Sequence, residues 1–410
     1  MDARTATSRA RGQVESPYAW LRLIASTALA TVGGVGMWSF VVALPAVQAD
    51  FGLARGEASL PFTAVMMGFG LGAMAIGRLV DRFGVFFPVV GAAVALGLGY
   101  AAAGHAANVW ELALAHGVIG LGSSAPFGPL VADLSRWFSR RRGIAVAICS
   151  SGNSLAGVIW PPLIEHLVAT TGWRAMHVGV GIACTAIMLP LAFALRRRAP
   201  TERSVAEGAA AARAQDALGL SPGALTALLG VAGIACCAAM AMPQVHIVAY
   251  CGDLGFGPAR GAEMLSLMLA CSLVSRLACG LVADRIGGVP TLLISSALQA
   301  VGLLLYIGFD GLTSLFVISA LFGLFQGGLI PTYAIIVREY FAPAEAGSRL
   351  GTILMATVIG MALGGWMSGV IFDHTGSYRA AFVSGFLWNL LNIAIALWII
   401  QRRERRLALA

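Results

Sequence analysis

A series of apolar runs, each about 20 residues long and separated by short polar breaks, constrains this chain more than any other feature. There are twelve such runs, near residues 20–45, 58–80, 85–105, 109–135, 142–167, 174–195, 223–250, 262–283, 288–309, 312–338, 348–372 and 378–400. A helix that crosses a bilayer needs roughly 20 mainly apolar residues, so each run is long enough to be one. Only 11% of the residues are charged, whereas about a quarter are charged in soluble domains. The sequence therefore predicts an all-α membrane protein with twelve transmembrane helices, which we number spans 1 to 12 in chain order.

The arginines indicate how the spans are oriented. All 27 basic residues are arginine, and 22 of them lie in breaks on the same side as the N-terminus. Four lie in breaks on the other side, at Arg55, Arg174, Arg260 and Arg379, and Arg276 lies within a span. Because cytoplasmic loops carry the excess of positive charge, we expect a plasma (inner) membrane protein with both termini cytoplasmic. The net charge of +8 could suggest a nucleic-acid partner. The basic residues, however, lie in the breaks between spans, next to membrane lipid, and this placement argues against such a partner.

Three segments of the first half recur in the second half in nearly one register. GRLVDRFG matches GLVADRIG 203 residues later, GLGSSAPFGPLVADLSRWF matches GLFQGGLIPTYAIIVREYF at the same shift, and TGWRA matches TGSYRA 204 to 205 residues later. This register indicates an internal duplication, and parallel six-helix repeats occur in secondary transporters. We therefore expect two pseudo-symmetric six-helix bundles. The predicted parts are a cytoplasmic tail at 1–19, a bundle at 20–195, a cytoplasmic central loop at 196–222, a second bundle at 223–401 and a cytoplasmic tail at 402–410.

A charged motif, G-x-x-x-D-R-x-G, follows the second and the eighth spans. Its residues are Gly77, Asp81, Arg82 and Gly84 in the first copy and Gly280, Asp284, Arg285 and Gly287 in the second. Together with the twelve spans and the repeat, this pair of motifs resembles the major facilitator superfamily. The resemblance covers nearly the whole chain, and it implies a secondary transporter that works by alternating access.

Within that superfamily, the chain resembles the branch of monocarboxylate transporters and oxalate/formate exchangers. The segment WFSRRRGIAVAICSSGNSLAG, residues 137–157, is similar to the beginning of that branch's fifth helix. HIVAYCGDLGF, residues 246–256, is similar to the end of its seventh helix. Arg276 falls where the branch keeps an arginine that contacts the substrate anion. The resemblance thus implies a small organic anion as the cargo.

Arg276 is the only charged residue between Leu265 and Ala283. An arginine at the centre of a bilayer costs on the order of 3 kcal/mol, so its side chain needs a partner or a wet cavity. A guanidinium can donate two parallel hydrogen bonds to a carboxylate and stays charged at any working pH, which favours an anion-binding site. The alternative is a structural arginine that bonds backbone carbonyls or extends toward the nearby cytoplasmic end of its helix.

The proton-coupling residues of the resembled branch are missing from this chain. Its proton-linked members carry an aspartate one turn before the arginine, where this chain has Ser272, and the branch's lysines in the first and eleventh helices have no counterpart. His246 is a candidate proton carrier and substrate ligand because histidine changes its charge near neutral pH. A neutral histidine bonded to a neighbouring helix is the alternative. Proton symport and anion exchange therefore both stay open.

Other polar side chains near the middle of their spans are candidate substrate ligands. Asn153 in span 5, and Gln326 and Tyr333 in span 10, belong to helices that line the cavity in the resembled family. Polar side chains also join helices to one another inside membranes, which is the alternative for each of them. Asn389 and Asn392 lie in span 12, which is peripheral in that family, and are predicted to be structural.

The two charged motifs suggest a cytoplasmic gate. Helix N-termini carry partial positive charge and attract carboxylates. Spans 5 and 11 both begin on the cytoplasmic side if the predicted spans are right. We therefore expect Asp81 to face the start of span 11 and Asp284 the start of span 5, while Arg82 and Arg285 hold the loops or bind lipid phosphate. Loop charges that only set the orientation are the alternative.

The sequence carries no feature of an enzyme. Its seven cysteines show neither paired nor metal-ligand spacing, and there is no nucleophile motif, metal-spaced histidine set or phosphate-binding loop. We therefore predict no catalytic residues, no cofactor and no metal. The predicted function is transport of a monocarboxylate such as lactate or pyruvate by a functional monomer, with protons as a candidate coupling ion. The alternatives are an exporter of amphiphilic or cationic compounds and a non-transporting nutrient receptor on the same fold.

Overall fold

The computed structural model describes residues 15–126, 128–134, 136–138, 141–197 and 219–409. In these ranges all regular secondary structure is helical. Span 1 is formed by Pro17–Gly33 with Val35–Phe51, span 2 by Arg55–Ala58 with Leu60–Phe83, and span 3 by Phe86–Gly104. Span 4 is formed by Val109–Ser124 with Gly128–Leu134, and spans 5 and 6 both lie in Arg142–Phe193. Spans 7 to 12 are formed by Pro222–Asp253, Pro258–Ile286, Gly288–Gly308, Leu312–Gln326 with Leu329–Tyr340, Pro343–Thr375 and Tyr378–Leu409.

Ten helices of the described chain are long and apolar enough to cross a membrane. One of them, Ile144–Phe193, contains both span 5 and span 6. The two spans are separated at Gly172, where the backbone leaves the helical conformation with φ 83°. Span 4 is divided into two shorter helices, Val109–Ser124 and Gly128–Leu134. When these two points are taken into account, all twelve predicted spans are helices, and the predicted all-α membrane fold is confirmed.

Local sequence signals explain where several spans begin. Ser16 and Ser221 each precede a proline, and each hydroxyl accepts a hydrogen bond from the N–H three residues later. Serine is a preferred N-cap, and proline fits the first helical position because its missing N–H would be unpaired there anyway. Asn108 accepts bonds from the N–H groups of Trp110 and Glu111 at the start of span 4. These starts are therefore fixed by residues that lie within one turn.

Spans 4 and 10 are both interrupted near the middle, at equivalent places of the repeat. The first helix of span 4 ends at Ser124, and the residue 203 positions later is Gly327, which follows the first helix of span 10. Pro126 lies in one interruption, and the pair Gly327–Gly328 forms the other. Proline lacks the N–H that a helix interior needs, and glycine is a weak helix former. Paired interruptions in corresponding spans are a pointer to a transporter's binding site.

The chain divides into two compact units. The first contains the chain up to Ala46 and Ala64–Arg203, and the second contains Val47–Thr63 and the chain from Ser204 onward. The second unit therefore holds the end of span 1 and the start of span 2 in addition to spans 7 to 12. Within it, Gly360 and Gly364 of span 11 lie directly against the backbone of span 7. A side chain at either glycine would collide with that backbone, so the close packing requires glycine.

A buried ion pair joins three spans of the first unit. Arg22 is fully buried, and its Nε and Nη2 atoms donate to Asp133 Oδ2 at 2.9 and 2.6 Å. Its Nη1 donates to the carbonyl of Arg197 at 3.0 Å, and the guanidinium lies 4.9 Å from the centre of the Trp137 ring. Arg22 thus connects span 1 to the ends of spans 4 and 6. It is an internal tie and not one of the loop charges that set orientation.

Asp133→Ala should destabilise the protein strongly, because it leaves the buried Arg22 guanidinium without its counter-charge. We expect a loss of about 3–5 kcal/mol in the free energy of unfolding. Unfolding of the purified protein in detergent measures it, and the double variant Arg22→Met/Asp133→Leu should recover most of the loss. Glu263→Ala, which breaks the exposed pair with Arg260, is the control and should cost at most about 1 kcal/mol. Equal losses in Asp133→Ala and the control would contradict the prediction.

Candidate functional site

Arg276 lies in span 8 and is half-buried. Its Nε atom is buried without a hydrogen-bond partner, and the side chain forms no ion pair with any described residue. Buried polar groups in proteins are nearly always bonded, and a guanidinium stays charged in all conditions. Of the structural alternative for Arg276, the bonds to backbone carbonyls are not seen in the described part of the chain, and the extension of the side chain toward the cytoplasmic end of its helix stays open.

The turn of span 8 that carries Arg276 packs on the interruption of span 10. Gly327 lies directly against the backbone of Ser272, and Gly328 lies against Cys279. One turn earlier, Gly323 lies against the carbonyl of Met268. These three close contacts follow one another along the two helices, so spans 8 and 10 pack with their backbones nearly in contact. Ser272, one turn before Arg276, faces span 10 and donates its hydroxyl to the carbonyl of Leu269 at 2.8 Å.

Gln326 is the last residue before that interruption. Its side chain is buried, and neither the Nε2 nor the Oε1 atom has a hydrogen-bond partner among the described residues. Leaving a buried polar atom unbonded costs roughly 1–3 kcal/mol, so unbonded atoms on each of two packed helices are unfavourable unless something else binds them. The Arg276 guanidinium can donate to an anion, and the Gln326 amide can both donate and accept.

Asn153 and Tyr333 have different surroundings. Asn153 belongs to span 5 in the first unit, is half-buried, and faces Gly34 of span 1. Tyr333 is fully buried, and its hydroxyl donates to Asn392 Oδ1 at 3.3 Å. Asn392 and Asn389 donate in turn to Ser296 Oγ and the Ser296 carbonyl, each at 2.7 Å. Tyr333 is thus part of a network that joins spans 9, 10 and 12, and the asparagines have the structural contacts predicted for them.

His246 is fully bonded on both ring nitrogens. Nε2 lies 2.7 Å from the carbonyl of Gly365, which can only accept, so Nε2 carries the hydrogen. Nδ1 lies 3.0 Å from the Tyr378 hydroxyl and accepts its hydrogen. This is the arrangement of a neutral histidine bonded to neighbouring helices, the alternative that the sequence left open. Its predicted role in proton coupling and substrate binding stays a prediction.

The Tyr378 hydroxyl also accepts a hydrogen bond from Arg55 Nη1 at 2.7 Å. Arg55 is buried, its Nη2 donates to Asp253 Oδ1 at 3.1 Å, and its guanidinium lies 4.8 Å from the centre of the Phe372 ring. Asp373, at the end of span 11, accepts hydrogen bonds from the backbone N–H groups of Arg55 and Gly56, both at 2.7 Å. The carboxylate therefore caps the start of span 2, where the helix dipole favours negative charge.

The structure places the predicted gate residues at helix ends. Gly84 and Gly287 have φ of 79° and 88°, a conformation that favours glycine and ends spans 2 and 8 at equivalent points of the repeat. Gly77 and Gly280 face open space. Arg82 lies over the Phe83 ring at 5.2 Å, while Asp284 and Arg285 are exposed without a hydrogen bond or ion pair to any described residue. The Asp81 side chain lies outside the described part, and the predicted contacts of Asp81 and Asp284 with the starts of spans 11 and 5 stay predictions.

Comparison with known proteins identifies the family. The model of the Major Facilitator Superfamily matches the chain twice, over residues 27–288 and 227–409. The chain belongs to the Major Facilitator Superfamily. It is a membrane transporter and not an enzyme. The chain is similar to monocarboxylate transporter 13 of Bos taurus, with 30% identity over 74% of this chain and 71% of that protein. The predicted resemblance to monocarboxylate transporters is confirmed.

Two further comparisons bear on this transporter. It is similar to the agnestins efflux protein AgnL12 of Paecilomyces divaricatus, with 25% identity over 68% of this chain and 63% of that protein. The crystal structure of the nucleoside transporter NupG has the same fold, with a TM-score of 0.71 and 12% identity over 93% of this chain and 99% of that one. The superfamily fold is therefore shared with proteins of different cargo.

Sequence reasoning missed the cluster around Arg55 and Asp373 of this transporter. The sequence indicates a loop charge at Arg55, because this residue lies in a break between two apolar runs. Its partners Asp253 and Asp373 lie about 200 and 320 residues away, so no local pattern links them. The available signal was that Asp253 and Asp373 each follow an apolar run on the same predicted side as Arg55.

Asp373→Ala should destabilise the second unit, since two N–H groups at the start of span 2 lose their acceptor. The expected loss is about 1 kcal/mol in the free energy of unfolding, typical of a lost helix cap. Asp373→Asn should cost less, because asparagine also caps helices. Thermal unfolding in detergent measures both, with Asp310→Ala, which removes an exposed partner of Arg379, as control. A loss in Asp373→Ala no larger than in the control would count against the cap.

Proposed function

We propose that this transporter carries a small organic anion, a monocarboxylate, and that Arg276 is its docking point. The observation that carries the proposal is the buried Arg276 Nε without a partner, on the turn of span 8 that packs against the interruption of span 10. A carboxylate cargo supplies the acceptors that the described chain withholds. The similarity to monocarboxylate transporters supports the same class of cargo.

The chemistry of the site favours one negative charge. A guanidinium donates two parallel hydrogen bonds to a carboxylate, which fixes orientation as well as charge. Gln326 adds a neutral donor and acceptor on the facing helix, suited to the carbonyl or hydroxyl beside the carboxylate of a 2-oxo or 2-hydroxy acid. The chain has no lysine, and Arg276 is the only basic residue in its run, so a second carboxylate has no fixed counter-charge here.

The proposed mechanism is alternating access by rocking of two six-helix bundles about a central site. In this proposal the bundles are 20–195 and 223–401, the tails and central loop are cytoplasmic, and the protein lies in the plasma (inner) membrane as a functional monomer. The charged motif residues Asp81, Arg82, Asp284 and Arg285 then lie on the cytoplasmic side and act as the gate. Asn153, Tyr333 and His246 are the further candidate ligands.

A second candidate is export of an amphiphilic or cationic compound. It is favoured by the similarity to the agnestins efflux protein. An exporter of cationic compounds would need a carboxylate in its cavity, and the carboxylates of spans 4 and 5 lie near helix ends, at Glu111, Asp133 and Glu165. The two candidates therefore differ in the charge of the cargo.

Uptake into proteoliposomes tests the proposal. Labelled lactate, pyruvate, formate and oxalate are offered with and without an imposed pH gradient, and the first two should be taken up while the dianion oxalate is not. A lipophilic organic cation serves as the probe for the second candidate. Transport of the cation, with uptake of none of the four acids, would overturn the proposal and favour the exporter.

Arg276→Ala should abolish monocarboxylate uptake while leaving the fold intact, since the wild-type guanidinium has no described partner to lose. Arg276→Lys should retain part of the activity with a raised KM, because an ammonium keeps the charge without the planar fork. Arg260→Ala is the matched control, in the same helix with an exposed ion pair. Uptake is measured beside a thermal unfolding curve for each variant. Unchanged KM in Arg276→Ala would return Arg276 to a structural role.

A further inference from the structure

Two buried histidines meet in the first unit. His116 lies in span 4 and His177 in span 6, and both are fully buried. Their Nε2 atoms face each other at 3.4 Å, and the ring centres are 5.3 Å apart at an angle of 77°. Neither residue belongs to the site around Arg276, which lies in the second unit.

The other nitrogen of each ring faces a backbone carbonyl of its own helix. His116 Nδ1 lies 2.9 Å from the carbonyl of Leu112, and His177 Nδ1 lies 2.6 Å from the carbonyl of Trp173. A carbonyl oxygen only accepts hydrogen bonds, so each Nδ1 must carry a hydrogen. A neutral imidazole has a single hydrogen, which leaves both Nε2 atoms bare.

Two bare Nε2 atoms that face each other place lone pair against lone pair. Moving the hydrogen of one ring to its Nε2 would fill the gap between the rings, but it would set a bare Nδ1 against a carbonyl oxygen. Every neutral combination of tautomers therefore leaves one repulsive contact. One additional proton removes the conflict, because both Nδ1 atoms then donate to carbonyls and a single Nε2–H donates to the other Nε2.

We propose that His116 and His177 form a proton-binding site that holds one proton between their two Nε2 atoms, and that binding of this proton couples transport to the pH gradient. The pair changes from neutral to a charge of +1 when the proton arrives from water, and returns to neutral when the proton leaves. A second proton is excluded, because it would place two cations in contact. The coupling role rests on the transport function proposed above, whereas the proton site itself does not.

The aromatic rings and backbone carbonyls around the two histidines favour a positive charge on the pair. The ring centres of Phe40, Trp173 and Tyr100 lie 4.8, 5.7 and 5.8 Å from the nearer imidazole, within the range of about 6 Å at which aromatic rings stabilise cations. Two charge-assisted bonds to carbonyls add to this.

The titratable groups that face the pair from the packed spans are few in the described chain. Tyr100 of span 3 faces His177, and its hydroxyl pairs with Ser39 of span 1 at 2.7 Å. The Cys184 thiol of span 6 donates to the carbonyl of Val32 at 3.9 Å. Glu111, five residues before His116, is exposed and bonds the backbone N–H of Ala107 at 2.9 Å. The guanidinium of Arg174 lies over the Trp173 ring at 4.2 Å.

His246 differs from the two histidines in its hydrogen bonds. Both nitrogens of that ring are bonded in the neutral form, one as donor and one as acceptor. An added proton would make His246 Nδ1 a donor to the Tyr378 hydroxyl, which already accepts from Arg55, and the hydrogen of that hydroxyl would lose its acceptor. Protonation therefore adds no hydrogen bond at His246, whereas it makes one between His116 and His177.

The proton is detected by nitrogen NMR of the full-length protein in detergent micelles, labelled at its six histidines with ¹⁵N. Imidazole shifts distinguish the bare, protonated and shared nitrogen. Over about pH 5 to 8, where histidine charge changes are expected, the Nε2 signals of two rings should move together in one step while their Nδ1 atoms stay protonated. Two rings that stay neutral throughout, or that titrate in two separate steps, would overturn the proposal.

Variants assign the step. His116→Gln and His177→Gln should each abolish the step in the histidine that remains, and the double variant should remove no further proton, because the site holds one proton and not two. His166→Gln, at an exposed position near the end of span 5, is the control and should leave the step unchanged. If the step survives in one ring when the other histidine is replaced, the two histidines titrate independently and the shared proton site is wrong.

The coupling role is measured by pyruvate uptake into proteoliposomes with an inward acid gradient. Stimulation by the gradient should be lost in His116→Gln and His177→Gln, while exchange of internal for external pyruvate at equal pH persists. Stimulation retained in both variants would overturn the coupling role. Arg276→Ala separates the two proposals, since it should abolish uptake and leave the NMR step in place.

Discussion

A membrane interior offers no water to bond a polar group, so each polar side chain in a span must find its partner in the chain or in what the chain carries. Most of the larger polar groups in the described spans obey this rule internally. Arg22 binds Asp133, Arg55 binds Asp253 and Tyr378, and His246 binds Gly365 and Tyr378. These contacts hold helices together.

The exceptions are therefore informative. Arg276 Nε and both amide atoms of Gln326 lack partners, and the remaining unbonded buried atoms belong to small hydroxyls, to indoles, or to side chains whose other atoms are bonded. In the first unit, the two histidines have partners but cannot satisfy all of them without an extra proton. In the two proposals made above, a carboxylate cargo supplies the missing partner at the first place and a proton supplies it at the second.

Much of the fold could be predicted because it depends on local signals. Apolar length predicted the spans. Ser16–Pro17 and Ser221–Pro222 lie at two helix starts in the structure and are local signals of the same kind, although no prediction was made from them. The motif glycines Gly84 and Gly287 end their helices with positive φ, as a recurrent glycine after a helix suggests. The interruptions of spans 4 and 10 were less accessible, since an apolar run reads as one helix whether or not it is broken. Of the candidate site, the sequence shows a lone arginine in an apolar run, but it does not show that this arginine lacks a partner.

The sequence by itself determined the number of spans, the internal repeat, the membrane class and the presence of one positive charge, Arg276, within an apolar run. These follow from composition and from order along the chain, because a bilayer sorts residues by polarity over stretches of about 20 residues. Only the tertiary structure decided which polar residues satisfy one another. Arg55 with Asp373, Tyr333 with Asn392, and His116 with His177 are separated by 59 to 318 residues, and their pairing depends on which helix faces pack together. Periodicity along one helix cannot specify the face of another, so the chemistry of each pair appears only when the helices are assembled.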